Sequence, residues 1–367
     1  MAKKKTKKSS KDINFDMNIS VGRVTLTQKA LFAKHISVML KSGLAITEAL
    51  SIARDSAKGK LRSVINDILQ SVESGNSLSD SFNRHPKVFS DLFVTATYAG
   101  ESSGTLVENL ENVASELESE KELSSKIKSA MLYPTVVMVA AFVLGMVLSF
   151  VVLPKIIPLF EGLKADLPAT TRGLIWFSHF IQDHSVSLPI GIIATVVFLL
   201  WLLRQRFIKP VTHKILLTTP IIKKVSRASN LARFCRTLGT LLKSGLTIDE
   251  SLDITKKTLG NYYYRKAIEG LSKNVARGSK LSDSLESNPE LFPLLVTRMI
   301  KVGEESGKFE ETLFYLAHFY EVEVDTSTKT MATAIEPVLL IAIGLTVGFL
   351  ALSIITPIYE ITGNVKR

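Results

Sequence analysis

Three stretches of this chain carry no Asp, Glu, Lys, Arg or His, and they limit the available folds more than any other feature. They are Ser129 to Pro154 (26 residues), Ser185 to Leu203 (19 residues) and Pro337 to Tyr359 (23 residues). A helix rises about 1.5 Å per residue, so roughly 20 residues cross a hydrocarbon layer about 30 Å thick. The first and third stretches are long enough to span. The second is the shortest, but Trp201 near its end and Arg204 and Arg206 just beyond it suit the membrane interface. Between these stretches the chain has ordinary polar and charged patterns, and the sequence implies an integral membrane protein.

The basic excess, 45 Lys and Arg against 34 Asp and Glu, is placed asymmetrically. Residues 1–128 hold 19 Lys/Arg, residues 155–184 three, and residues 204–336 twenty-one. Short flanks are the proper test of the positive-inside rule. Lys121, Lys126 and Lys128 precede the first span, and Arg204, Arg206 and Lys209 follow the second. These flanks place the N-terminus and the 204–336 region in the cytoplasm, and the 155–184 loop and the tail outside. Lys366 and Arg367 in that tail run against the rule. The N-terminal MAKKKTKKSSK is followed by DINFDMNIS rather than by an apolar run, so no cleavable signal peptide is expected. The cluster reads as a flexible tail, with attraction to anionic lipid as the alternative. A single cysteine, Cys235, excludes an intrachain disulfide and fits a reducing compartment.

The chain also repeats itself. Leu40-Lys41-Ser42-Gly43-Leu44 recurs as Leu242-Lys243-Ser244-Gly245-Leu246, 202 residues on. Gly75 to Ser81 recurs at Gly278 to Ser284 with an offset of 203, and Pro86 and Phe89 meet Pro289 and Phe292. Gly100-Glu101-Ser102-Ser103-Gly104 meets Gly303-Glu304-Glu305-Ser306-Gly307, and Pro134 meets Pro337. Each copy reads as about six helices. Gly43 and Gly245 stand where an apolar helical pattern stops. Thr47 and Asp249, and later Ser79 and Ser282, are the expected N-caps, and Pro86 and Pro289 break the chain before the next helix. After Gly104 and Gly307 a helical pattern runs unbroken to Pro134 and Pro337, implying a long helix from each bundle into a span. Two modules on one side of a membrane, each feeding a span, require one unrepeated return crossing, and Ser185 to Leu203 supplies it.

The fold class is therefore an all-α membrane protein with two homologous cytoplasmic helical bundles and three transmembrane helices. The expected divisions are a flexible segment 1–24, bundle one 25–130, spans at 131–157, 185–203 and 335–358, and an outer loop 158–184. A connector 204–228, bundle two 229–334 and an outer tail 359–367 complete the chain.

Chemistry is hard to find in these residues. The six histidines form no HExxH, and His179 and His184 make a poor metal pair. No GxxxxGK[ST] segment exists, so nucleotide hydrolysis by this chain is not expected. The spans hold no charged residue in their cores, where a pump or coupled transporter keeps one. No enzyme, cofactor, metal or nucleic-acid role is expected. Gly344 and Gly348 form a GxxxG, suited either to helix association or to simple tolerance of glycine. The Gly-Glu-x-Ser-Gly pair is the most specific polar feature. It reads first as an interhelical turn whose glutamate caps or pairs, and second as a surface for a partner.

Two helical modules, three spans, LKSGL turns and a Gly-Glu-x-Ser-Gly motif in each copy resemble the inner-membrane platform proteins of type IV pilus assembly and type II secretion. The resemblance covers Leu31 to Thr362 and leaves pilus, secretion and competence systems open. A related archaeal-flagellum or tight-adherence pilus scaffold is the alternative, and a small transporter a remote one. The resemblance implies a non-enzymatic scaffold that joins a cytoplasmic hexameric ATPase to pilin or pseudopilin subunits and other inner-membrane assembly proteins, and that self-associates, a dimer being favoured. It marks Glu101 and Glu304 as maintaining or presenting the docking surface. It implies that Gly43, Gly100, Gly104, Gly245, Gly303 and Gly307 act through turn geometry, with Pro134 and Pro337 as membrane-entry prolines.

Overall fold

The computed structural model describes residues 23–147 and 187–364 except 204 and 206, with short pieces at 150–151, 154–155, 172–173, 175–176, 179–180 and 183–184. The lysine-rich N-terminal cluster, most of the outer loop 158–184 and the residues Lys366 and Arg367 lie outside them. Among the described residues all regular structure is helical.

The chain divides into two compact units, residues 1–118 and 119–367. The first contains α1 (Leu26–Lys41), α2 (Ile46–Ser56), α3 (Gly59–Glu73), α4 (Leu78–Asn83), α5 (Asp91–Ser103) and the start of α6 (Leu106–Val147). The second contains the rest of α6, then α7 (Ser187–Leu203), α8 (Lys209–Thr218), α9 (Pro220–Lys243) and α10 (Ile248–Thr258). It continues with α11 (Tyr262–Val275), α12 (Leu281–Glu286), α13 (Leu294–Ser306) and α14 (Phe309–Asn364). Helices α1 to α6 and α9 to α14 repeat the same order, six per copy.

Local chemistry explains the shared ends. Helix α1 opens on a capping box, in which the Gln28 N–H donates to Thr25 Oγ1 (3.3 Å) and the Thr25 N–H to Gln28 Oε1 (2.9 Å). It closes at Gly43, whose φ of +87° lets the Leu44 N–H reach back to the Met39 carbonyl and the Gly43 N–H to that of Leu40. Gly245, also at φ +87°, repeats the pattern with Leu241 and Leu242. This six-to-one pairing needs a left-handed residue that only glycine adopts freely.

Four expected caps fall elsewhere. Thr47 and Asp249 sit at the second helical position, and the N-caps are Ala45 and Thr247. Likewise Ser79 and Ser282 lie inside their helices, behind N-caps Ser77 and Lys280. The reason at α4 and α12 is burial. Leu78 and Leu281 are fully enclosed, and drawing them into the core starts each helix one residue ahead of the serine.

Each bundle has its own aromatic centre. In the first, Phe32, Phe82, Phe89 and Phe93 meet with ring centroids 4.5–6.4 Å apart. The equivalent positions in the second are Phe234, Leu285, Phe292 and Val296, so two rings are lost. Tyr264 stands where the first copy has Leu61 and restores the volume. Its ring lies 5.6 Å from Phe292, and its hydroxyl donates to the Leu291 carbonyl at 2.8 Å. A buried phenol needs such a partner, and this one has it.

The second core shows how the bundle grips the long helix. Leu313, Leu316, Ala317, Tyr320 and Val324 of α14 are buried among Leu231, Phe234, Leu238 and Ile300. Residues Leu123 and Ile127 of α6 pack into this same core. Arg236 of α9 clasps Glu321 of α14 with two hydrogen bonds of 2.6 and 2.7 Å, both side chains largely covered. Beyond this grip α14 runs on through Pro337, and no residue of its most apolar window is buried, nor is more than a small share of that of α6. Helix α6 carries Pro134 inside it. A 42-residue and a 56-residue helix extend about 63 and 84 Å at 1.5 Å per residue. Both are long enough and apolar enough to cross a membrane. Helix α7, at 17 residues, is about 26 Å long, slightly under the hydrocarbon thickness.

Candidate functional site

The Gly-Glu-x-Ser-Gly segments form the last turns of α5 and α13, and each side chain in them has a distinct task. Gly100 is buried at the crossing with α6. A Cβ there would stand 2.8 Å from the Leu106 Cα and 3.2 Å from the Asn109 side chain. Gly303 is equally confined, 2.9 Å from Thr312 Oγ1 and 3.2 Å from the Phe309 Cα. These glycines therefore serve close helix packing. Gly104 and Gly307 serve the turn, ending their helices at φ +76° and +71°.

The glutamate reaches across the motif to another helix. Glu101 Oε1 accepts the Leu78 N–H at 2.6 Å, while Oε2 accepts the Ser79 N–H at 3.0 Å and the Ser79 hydroxyl at 2.5 Å. Glu304 does the same at α12, accepting from Leu281 N at 2.8 Å and Ser282 N at 3.1 Å. The first N–H groups of a helix have no partner within it. Here a carboxylate 22 or 23 residues later supplies one, and clips α5 to α4 and α13 to α12.

The two clips differ in strength. In copy one the Ser77 hydroxyl also accepts the Asp80 N–H at 3.1 Å, so the first three α4 donors are satisfied. In copy two Lys280 replaces Ser77 and gives no side-chain cap, and among the described residues the buried Ser282 hydroxyl has no partner. Instead the Lys280 ammonium lies 3.8 Å from Glu305, the residue that replaces Ser102. That pair is exposed and adds little.

Lys41 of the LKSGL turn pairs with Glu111 at 3.3 Å, and Lys34 joins the same carboxylate at 3.6 Å, which holds Glu111 below the usual carboxylate range. Gly43 and Gly245 close α1 and α9 and are remote in sequence from the clips. Sequence reasoning missed the Arg236–Glu321 pair. Its signal was an opposite-charge pair on two otherwise core-facing helical stripes, which one-dimensional periodicity does not join. Among the described residues no group of three His, Cys, Asp or Glu side chains converges on a metal-sized site. Cys235 is fully buried, and desolvation pushes its thiol far above the normal range, so it is inert.

Comparison with known proteins agrees with the duplication. The family described as "Type II secretion system (T2SS), protein F" matches twice, at residues 32–154 and 234–357. The matches start 202 residues apart and end 203 apart, the offsets of the repeat. A type IV pilus assembly protein PilC from Thermus thermophilus is 34% identical over 93% of this chain and 84% of its own length. The PilC of Myxococcus xanthus is 33% identical over 92% of this chain and 81% of its own. A type II secretion system protein F from Vibrio cholerae is 30% identical over 92% and 83%.

Proposed function

Because the chain belongs to the type II secretion system protein F family, and so serves as a platform protein of a pilus or secretion system, we propose that it works as a non-enzymatic inner-membrane coupler. In this reading both bundles lie in the cytoplasm and engage a hexameric assembly ATPase. The membrane helices receive pilin or pseudopilin subunits, and ATP-driven motion of the platform, a rotation, lifts those subunits into a filament. The chain crosses the membrane three times, through α6, α7 and α14, and acts as a dimer or higher self-assembly beside other inner-membrane assembly proteins.

One observation carries the proposal. Helix α14 is seated in the second bundle by Leu313, Leu316, Tyr320 and the Arg236–Glu321 clasp, and continues without a break into an exposed apolar stretch. A rotation of the bundle is then imposed on the membrane end of the same helix, since a continuous hydrogen-bonded helix does not bend freely between them. The Glu101 and Glu304 clips fix the short helices against α5 and α13, so the outer surface moves with the lever. These glutamates act on a partner by holding that surface rather than by touching it.

Affinity isolation in mild detergent tests the proposal: a hexameric ATPase encoded with pilin-like proteins is expected to accompany the chain. A reporter fused after Lys308 is expected to read cytoplasm, and one within 160–180 the outside. Reversal of both, or capture of no ATPase under conditions that retain pilin-like subunits, overturns it.

A further inference from the structure

Among the described residues helix α8 has no counterpart in the first copy. It follows α7 after a five-residue link and folds back onto the second bundle, where His213 Nδ1 accepts the Tyr262 N–H at 2.9 Å and Leu217 packs on the core. Its other side is unusual. Val211 and Ile215 of α8 continue at four-residue spacing from Phe207 in the turn before it, and the three are 58%, 53% and 72% exposed. Residues at that spacing share one face of a helix, so an apolar row points away from the protein.

Next to that row, three residues on from Val211 and Ile215, Lys214 and Thr218 form the rim of a cavity of about 660 Å³ between α8, α9, α11 and the turn after α12. Lys223 and Arg227, one turn apart on α9, line it with Tyr263. Among the described residues none of the three cations has an ion-pair partner, although Glu290 also lines the cavity. Three cations against one carboxylate around a cavity is a site that is short of an anion.

We propose that this cavity binds the phosphate of an anionic phospholipid headgroup, with α8 lying in the inner membrane interface and the Phe207–Val211–Ile215 row against the acyl chains. The inference rests on the reading that α7 crosses the membrane. That crossing would bring α8 to the surface five residues after the span. The apolar row and the cationic rim adjoin, as the two parts of one phospholipid do, and a water-soluble anion leaves the apolar row unexplained. The site lies on the second module and ties that module to the bilayer.

The test uses the full chain, purified in mild detergent with excess phosphatidylglycerol and phosphatidylcholine, and counts retained lipids by native mass spectrometry. The wild type is expected to retain phosphatidylglycerol preferentially. Lys214→Gln with Lys223→Gln should weaken that retention about 25-fold, taking about five-fold per lysine near an anionic surface. Val211→Ser with Ile215→Ser should weaken it as well, and inorganic phosphate at millimolar levels should not displace the lipid. Equal retention in wild type and the lysine variant overturns the site. So does displacement by inorganic phosphate with no effect of the apolar variant, which would mark a site for a free anion. An acidic polypeptide occupying the cavity, recognised by cross-links from Lys223 to protein in place of lipid, overturns it too. The α7 reading is scored separately by labelling Gln205→Cys with an impermeant thiol reagent from either side, Cys235 being inert. Wrong-side labelling with lipid preference intact refutes the crossing and leaves the headgroup site standing. Correct labelling without lipid preference refutes the site alone.

Discussion

Glu101→Ala removes three hydrogen bonds at once, and their loss can be put on a scale. The variant leaves the Leu78 and Ser79 N–H groups without acceptors and the Ser79 hydroxyl with only the Ser77 Oγ at 3.2 Å, and both residues are buried. An orphaned buried donor costs about 1–3 kcal/mol, and a lost N-cap typically about 1 kcal/mol. Because Glu101 itself is only half-buried, water recovers part of this, and about 2–4 kcal/mol of local stability should go. One tenfold step is about 1.36 kcal/mol, so amide exchange in peptides covering 77–83 should speed up about 30- to 900-fold. Glu304→Ala breaks two bonds rather than three and should lose less in absolute terms. Yet Ser77 still caps α4, whereas α12 has no side-chain cap, so α12 should fray further along its length. Glu101→Gln keeps one acceptor oxygen and should fall between wild type and alanine. The assay is hydrogen exchange of the full-length protein in lipid nanodiscs, with filament assembly measured in parallel. Unchanged protection at 77–83 and 280–286 in both alanine variants would refute the clip. Loss of assembly with protection intact would show that the carboxylates contact a partner directly.

Gly100→Ala places a methyl group 2.8 Å from the Leu106 backbone, and overpacking of this kind costs about 1–3 kcal/mol. The same change at Gly104 instead strains a residue at φ +76°, costing about 1 kcal/mol, so thermal unfolding should rank Gly100→Ala as the more damaging. Tyr264→Phe should lose about 1 kcal/mol with the bond to Leu291, while Tyr264→Leu should lose about 2–4 kcal/mol because the second core lacks the rings that fill the first. An equal effect of the two would refute the volume compensation. His213 is held below its ordinary value by burial first, then by Lys209 and Arg265. The unfolded chain takes up a proton near about pH 6.5, where the folded ring still refuses it, so the stability of the α8–α11 contact is full above that pH. It should fall as the pH drops towards the folded value, because the imidazolium cannot accept the Tyr262 N–H. Proteolysis between α10 and α11 should therefore rise from pH 7.5 to 5.5, and a pH-independent rate would refute the contact.

Much of this architecture could be read along the chain, because the signals concerned are local or periodic. An uncharged run long enough for a bilayer, a glycine closing an apolar helical pattern and a repeated offset need no partner in space. Gly43, Gly245, Gly104 and Gly307 follow that rule, since a helix end with a left-handed residue is a property of a few consecutive residues. The helix order, six per copy, follows for the same reason. The cap positions failed by two residues at α2, α4, α10 and α12, where burial of Leu78 and Leu281, for example, set the helix start against local cap preference.

The destination of Glu101 and Glu304 was decided only in three dimensions. A carboxylate in a Gly-Glu-x-Ser-Gly turn reads as a local cap, but its donors lie 22 and 23 residues earlier, and only the packing of α5 on α4 brings them together. Gly100 and Gly303 likewise sit in the motif as turn residues and are in fact packing residues, because what they avoid is α6 and α14. The exchange of two phenylalanines for Tyr264, the Arg236–Glu321 clasp and the cationic cavity beside α8 also join distant segments. The sequence alone thus determined which parts are helix, which are apolar enough for a membrane and that there are two copies. The tertiary structure decided which buried donors each side chain must satisfy, since an unmet hydrogen bond is costly wherever in the chain its partner is found.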